Sequence, residues 1–314
     1  MKFYTYVAKI GNRIYSREVD NKGETYSGYT SFKPTLYLPA PPDKSDYKSL
    51  DNEYLGSHTF DSIKDCQSFL SSYDGTVNYS IHGNRNYVSQ YITETYPDLQ
   101  WDSTKIEIFN LDIETSIENG FPDIRIANSA ITAITVYSST ADRYFVFGMG
   151  KYNPDQPDKA ISYFESDTER EMLKLFIDWW AINIPDIVTG WNIKFFDIPY
   201  IINRLKRFGL KAELLSPIKN LYEKNIKIAG KDNQTYLITG VSVLDYLDLY
   251  KKYTYKIRES YRLDYIGKVE LGLRKDQDEI PGYELYKTDY QKFINYNIRD
   301  VEIVKKLDDK MKLM

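Results

Sequence analysis

From residue 105 onward, apolar stretches of strand length come first three in a row and then in alternation with amphipathic helices. Few architectures accept that order. KIEIFNLDIET (105–115), AITAITVYS (130–138) and RYFVFGMG (143–150) read as strands, the last two joined by a short turn as an antiparallel pair. DTEREMLKLFIDWWAIN (167–183) has helical spacing, with Asp167 as its candidate N-cap, and DIVTGWN (186–192) reads as a buried strand. DIPYIINRLKRF (197–208) starts another helix with Pro199 in its first turn, 234–250 holds a further strand and helix, and 290–312 is a long final helix. Three antiparallel strands followed by alternating helices and strands describe an α/β domain with a mixed sheet.

The first hundred residues are patterned differently. KFYTYVAKI, RIYSREV and TLYLPA are short alternating stretches broken by Gly, Pro, Ser and Asn, which predicts hairpins and a sheet edge. SIKDCQSFLSSY (62–73) carries helical spacing, LPAPPDKSD (38–46) reads as a surface loop, and YPDLQWDST (96–104) is the expected junction. The expected division is therefore a smaller β-rich α+β domain over 1–103 and an α/β domain over 104–314.

Composition removes several classes of function. With 42% hydrophobic and 27% charged residues over 314 positions, the chain has the make-up of a soluble globular protein. No apolar run approaches the ~20 residues of a membrane span, and MKFYTYVAKIGNRIYSREVD lacks the apolar region of a signal peptide. A single cysteine, Cys66, excludes an internal disulfide and agrees with a reducing compartment. His58 and His82 are the only histidines, so any metal would be held by oxygen ligands, which favours Mg²⁺ or Mn²⁺. A net charge of −4 means that any nucleic acid must meet a local basic surface or a further partner.

Carboxylates occupy unexpected places. Asp112 and Glu114 lie two apart in an apolar strand, hence on one face and about 6.5–7 Å apart along the chain. Asp300 sits in the middle of the expected buried stripe of the last helix, with Tyr296 one turn before it on the same face. An aspartate on a core face costs several kcal/mol, roughly, unless it is paired, bonded or bound to a metal. Asp197 stands where a buried strand runs into a helix, a place where ligand-binding residues collect in open α/β sheets. Each has a simpler reading: a solvated acidic face, a salt bridge to a lysine, an N-cap.

Taken together and in this order, DIE at 112–114, NIKFFD at 192–197 and YNIRD at 296–300 resemble the three exonuclease motifs of B-family DNA polymerases, in particular those of T-even-type phages. FPD (121–123), TGWN (189–192), VLDYLDLYKK (243–252) and SYRLDYIG (260–267) extend the resemblance, which is loose over the N-terminal domain and close over 105–314. It implies a ribonuclease-H-like fold and removal of nucleotides from DNA 3′ ends in proofreading, through two divalent cations, Mg²⁺ or Mn²⁺. By the same resemblance Asp112 bridges both ions, Glu114 and Asp300 complete the site of the attacking water, and Asp197 holds the second ion partly through water. Tyr296 would orient the water or the scissile phosphate, and Lys275, in GLRKDQ, would contact phosphate or be a surface lysine. Phe121, Asn192 and Phe196 are the candidates for gripping the single-stranded 3′ end, with core packing the alternative for Phe196. Residues 203–231 carry eight Lys/Arg against two acids, and this excess, with Arg204, Lys206 and Arg207 at its start, could attract a DNA backbone or be a solvated helix face.

The palm motifs of a polymerase are absent: no Asp-x-x-Ser-Leu-Tyr-Pro and no Tyr-x-Asp-Thr-Asp. The expectation is the N-terminal half of a longer polymerase, or a gene for that half alone, that does not polymerise unaided. Its expected partners are a single-stranded DNA 3′ end and the polymerase half, in the same protein or as a separate subunit. The sliding clamp and RNA are further candidates, and a host-cell cytoplasm is the expected setting. Rival readings are a non-catalytic nucleic-acid-binding or replisome-docking piece, and a ribonuclease that accepts a 2′-hydroxyl.

Overall fold

The alternating KFYTYVAKI folds as β1 (Lys2–Ile10), turns at Gly11 (φ 58°), and pairs antiparallel with β2 (Arg13–Asp20). Gly11 adopts the left-handed conformation that a β-carbon would disfavour. β3 (Thr25–Ser31) completes this sheet in the order β1-β2-β3. A second small sheet, order β4-β6-β5, is formed by β4 (Thr35–Pro39), β5 (Tyr47–Lys48) and β6 (Tyr54–Thr59). Helix α1 (Ile63–Ser72) is capped by the Ser62 hydroxyl, and α2 (Tyr87–Thr95) by the Asn86 carboxamide. Their apolar sides, with Ile63, Cys66, Tyr87 and Tyr91, close a core over Ile14, Phe32, Leu36 and Phe60. The computed structural model describes residues 2–77, 79–117, 120, 122–228, 230–273 and 282–314. Contacts divide the chain into two compact units, Met1–Lys105 and Ile106–Met314.

The second unit is built on a six-stranded mixed sheet, order β10-β9-β8-β7-β11-β14. Its strands are β7 (Ile108–Thr115), β8 (Ile131–Ser138), β9 (Arg143–Gly148), β10 (Ile161–Glu165), β11 (Ile187–Gly190) and β14 (Ser242–Asp245). β7, β8 and β9 run antiparallel, whereas β10, β11 and β14 add in parallel. This is the mixed α/β sheet that the sequence predicts, and it agrees with the ribonuclease-H-like class. The five-residue β10 is an addition to the strands read from the sequence. β12 (Leu221–Ile228) and β13 (Lys231–Ile238) form a separate antiparallel hairpin, so the basic stretch 203–231 is not one helix face.

Every residue of β8 is buried, because helices cover both faces of the sheet. On one side α3 (Glu169–Ile182) and α4 (Asp197–Arg207) contribute Met172, Phe176, Trp180, Ile198, Ile201 and Leu205. On the other, α8 (Tyr290–Met311) packs Phe293, Ile294, Ile298 and Val301 against Ala133 and Val146. α5 (Tyr246–Tyr253), α6 (Leu263–Leu271) and α7 (Gly282–Thr288) complete the unit. α3 is capped by Thr168 and not by Asp167: the Thr168 side chain accepts the Glu171 N–H, one residue later than the sequence suggested. Among the described residues no helix is long and apolar enough to cross a membrane.

Candidate metal centre

Asp112 and Glu114 leave β7 towards α8, and α8 supplies Asp300. One carboxylate oxygen of each lies within 4.8 Å of the others, close enough for the three to hold one metal ion. The fully buried stripe of α8 passes through Asn297 and Val301, and Asp300 and Tyr296 flank it half-buried. That corrects the placement of Asp300 in the middle of the stripe and explains how it reaches the site. Two bonds register helix on strand: Asn110 donates from Nδ2 to the Val301 carbonyl at 2.7 Å, and Asn297 donates from Nδ2 to Asp112 Oδ2 at 2.7 Å. Asn297 accepts in turn from the Thr135 hydroxyl, so the amide is fixed from both ends.

Asp197 lies beside this group and outside the set of three. It opens α4, where the helix dipole favours a negative charge, and its Oδ1 accepts the N–H of Ile113 at 3.1 Å. Ile113 is the residue between Asp112 and Glu114, so the fourth carboxylate is tied to the backbone of the first two. Asp197 is not the N-cap of α4, a place taken by Phe196 without a side-chain bond.

The turn before Asp197 is organised by a residue the motifs do not single out. Buried Asp245 accepts the N–H groups of Asn192 (3.1 Å), Lys194 (3.0 Å) and Leu247 (3.0 Å). Asn192 is left-handed (φ 66°), a conformation asparagine tolerates better than most residues, so its identity has a backbone reason. The sequence signal for Asp245 is an aspartate directly before a helix. Gly282 is a second such residue. A β-carbon there would stand 3.2 Å from the Tyr296 ring and 3.4 Å from Glu114 Oε2.

Burial and mutual repulsion act together on these acids. The Asp112 carboxyl is pushed well above the ordinary range by desolvation first, then by Asp197, Asp300 and Glu114, against the Asn297 bond. Glu114 is raised to about 8 by desolvation, with Asp300 and Asp197 adding repulsion. Asp197 is raised to about 7 by desolvation, opposed by the Ile113 amide. An all-oxygen set short of positive charge is the chemistry of a hard divalent cation site. Both histidines lie in the first unit and neither belongs to this group.

The other expected residues fall out differently. Phe196 is half-buried, stacked on Tyr200 (centroids 5.6 Å apart, planes at 24°) and packed against the core. Arg204 is corrected from a DNA contact: it is 6% exposed and forks onto the Glu169 carboxylate, and Nη1 donates to the Ala127 carbonyl. Lys206 and Arg207 are exposed, bonded to the Tyr236 hydroxyl (3.0 Å) and the Ile126 carbonyl (3.3 Å). Phe121 and Lys275 lie outside the described residues.

Comparison with known proteins gives a family and two phage relatives. Residues 76–266 match the family of DNA polymerase family B exonuclease domains. The DNA-directed DNA polymerases of Escherichia phage RB69 and Enterobacteria phage T4 are each 31% identical over 98% of this chain. The DNA polymerase delta catalytic subunit of Candida albicans is 27% identical over 57% of it. The chain spans 37% of the length of each phage relative.

Proposed function

Because the chain belongs to the family of B-family DNA polymerase exonuclease domains, we propose that it is a metal-dependent 3′→5′ exonuclease acting on single-stranded or frayed DNA ends. It would serve as the proofreading part of a polymerase whose catalytic half lies in the same protein or in a separate subunit. The observation that carries this reading is the convergence of Asp112, Glu114 and Asp300 within 4.8 Å, from a central strand and the long helix of a family-B exonuclease fold.

In this reading Asp112, Glu114 and Asp300 would hold a divalent cation, Mg²⁺ or Mn²⁺, and Asp112 would also serve a second ion. Asp197, anchored on the Ile113 amide, would help hold that second ion. When bound, such ions supply positive charge beside the attacking and departing oxygens of the phosphodiester. The Tyr296 hydroxyl orients the water or the phosphate. Asn297 keeps Asp112 in a fixed orientation, and Asp245 holds the turn that delivers Asp197. Phe121 and Lys275 keep the stacking and phosphate roles that the family likeness suggests, while Lys206 and Arg207 remain the exposed cations for a DNA backbone. The sliding clamp and RNA remain candidate partners outside the active site.

The test is a 5′-labelled single-stranded DNA oligonucleotide incubated with Mg²⁺, with EDTA, and with Asp112→Ala/Glu114→Ala. Stepwise shortening from the 3′ end that needs both metal and carboxylates is expected. A folded, metal-loaded chain that leaves the oligonucleotide intact would overturn the reading and leave a binding module. An RNA strand cleaved faster than DNA would make it a ribonuclease.

A further inference from the structure

We propose that one face of α4 is a clamp that positions the connection between β7 and β8 relative to the carboxylates, through Tyr200, Asn203, Arg204 and Arg207. These side chains recur at steps of three and one, hence on a single side of the helix. Each bonds main chain in the segment 124–129. The Tyr200 hydroxyl donates to the Ser129 carbonyl (2.7 Å) and accepts the Ser129 N–H (3.0 Å). Asn203 Nδ2 donates to the Ile124 carbonyl at 2.8 Å, Arg204 Nη1 to that of Ala127 at 2.8 Å, and Arg207 Nη1 to that of Ile126 at 3.3 Å.

Several features show a built joint and not chance contact. Ala127 is buried with φ 46°, a strained conformation that surrounding bonds must hold. Arg204 is locked by the buried Glu169, whose other role is to accept the Ile131 N–H (2.8 Å) where β8 begins. The same helix opens with Asp197, bonded to Ile113 between Asp112 and Glu114. At the far end the connection closes as the Ser116 N–H meets the Ala130 carbonyl (2.8 Å), two residues beyond Glu114. A single rigid helix therefore sets both the fourth carboxylate and the segment 124–129 that leads into β8. Resting on the exonuclease reading, that segment is a wall for the substrate strand, and the four α4 residues are positioning residues that govern how tightly the 3′ end is held.

Removing Arg204 would strand the Glu169 carboxylate and unfold the unit, so the informative variants are Tyr200→Phe and Asn203→Ala. Two readouts are taken on the full chain. The first is the rate at which trypsin releases the fragment ending at Arg125, which follows local opening. Tyr200→Phe removes both bonds to Ser129, and Asn203→Ala removes the bond to Ile124 together with those to Gln234 and Tyr236. Each variant should therefore speed that cut about fivefold or more, while cuts in the first unit keep their rate. The second is steady-state cleavage of a single-stranded 3′ end, where KM should rise about fivefold with kcat nearly unchanged. Leu205→Ala, on the core side of the same helix, weakens the unit as a whole and should show no such split between KM and kcat. Unchanged protection at Arg125, or a loss confined to kcat, would overturn the clamp. Absence of cleavage by the wild-type chain would overturn the exonuclease reading, and the trypsin arm would still judge the clamp.

Discussion

At the scale of single residues, Asn297 is the sharpest test of how the site is held. Its Nδ2 is bonded to Asp112 Oδ2, and its Oδ1 to Thr135. Asn297→Leu keeps the volume but leaves Asp112 free to rotate and the Thr135 hydroxyl buried without its partner. Groups that orient a metal ligand are commonly worth about 10–100-fold in affinity. Mn²⁺ titration by calorimetry should therefore show a loss of about that size, with the cluster otherwise intact. A variant that binds Mn²⁺ as tightly as the wild type would show that Asp112 needs no such support. Gly282→Ala acts at the same range, since its new methyl group would press on the Tyr296 ring and touch Glu114. Overpacking of this kind costs about 1–3 kcal/mol. The expected signature is a lower urea midpoint with a larger fall in cleavage rate than the stability loss explains, because Tyr296 is displaced. Cleavage that falls only in step with stability would remove Tyr296 from the reaction.

At the scale of elements, the strand and helix that carry the site were legible, and the reason is physical. β7 and α8 are long and rich in apolar residues, so carboxylates that interrupt or border those residues stand out. The same logic fails for Arg204, which looks like one more cation in a basic run. Its partner Glu169 is 35 residues away, and only the fold brings the two together. Strand β10 is too short for its period to show, and the β12–β13 hairpin alternates polar residues that give no apolar signature. Asn192 and Asp245 were visible as residue types but not as a pair, since one carboxylate gathering the amides of a distant turn is a tertiary event. Gly190, within TGWN, belongs to the legible part and now has a cause. A β-carbon there would lie 2.3 Å from the Leu111 carbonyl of β7, a backbone atom that cannot step aside. Gly190→Ala must force β11 and β7 apart, at a cost of about 3 kcal/mol. A urea midpoint equal to that of the wild type would show that the two strands can separate freely.

At the scale of the whole molecule, the raised carboxylates link stability to pH and to metal. Glu114 is raised to about 8 and Asp197 to about 7, mainly because burial disfavours their charge. A carboxyl whose folded pKa exceeds its unfolded value binds more protons in the folded state. Its stabilising contribution is present at low pH and is lost as pH rises through that window. Without metal, the second unit should be more stable near pH 5 than near pH 8.5, by on the order of a few kcal/mol. A divalent cation reverses the trend, since it binds the deprotonated carboxylates and competes with protons for them. Mg²⁺ should therefore raise Tm little at pH 5 and by about 5 °C or more at pH 8.5. Calorimetry in EDTA and in Mg²⁺ at both pH values makes the comparison, with the transition that Mg²⁺ moves assigned to the second unit. Equal protection at the two pH values would mean that Mg²⁺ binds elsewhere than this cluster. In Asp112→Asn/Glu114→Gln the neutral side chains relieve the repulsion, so the metal-free unit should gain stability at pH 8.5 and lose its response to Mg²⁺. A double variant that gains no stability in EDTA would show that the repulsion among these acids is already relieved without metal.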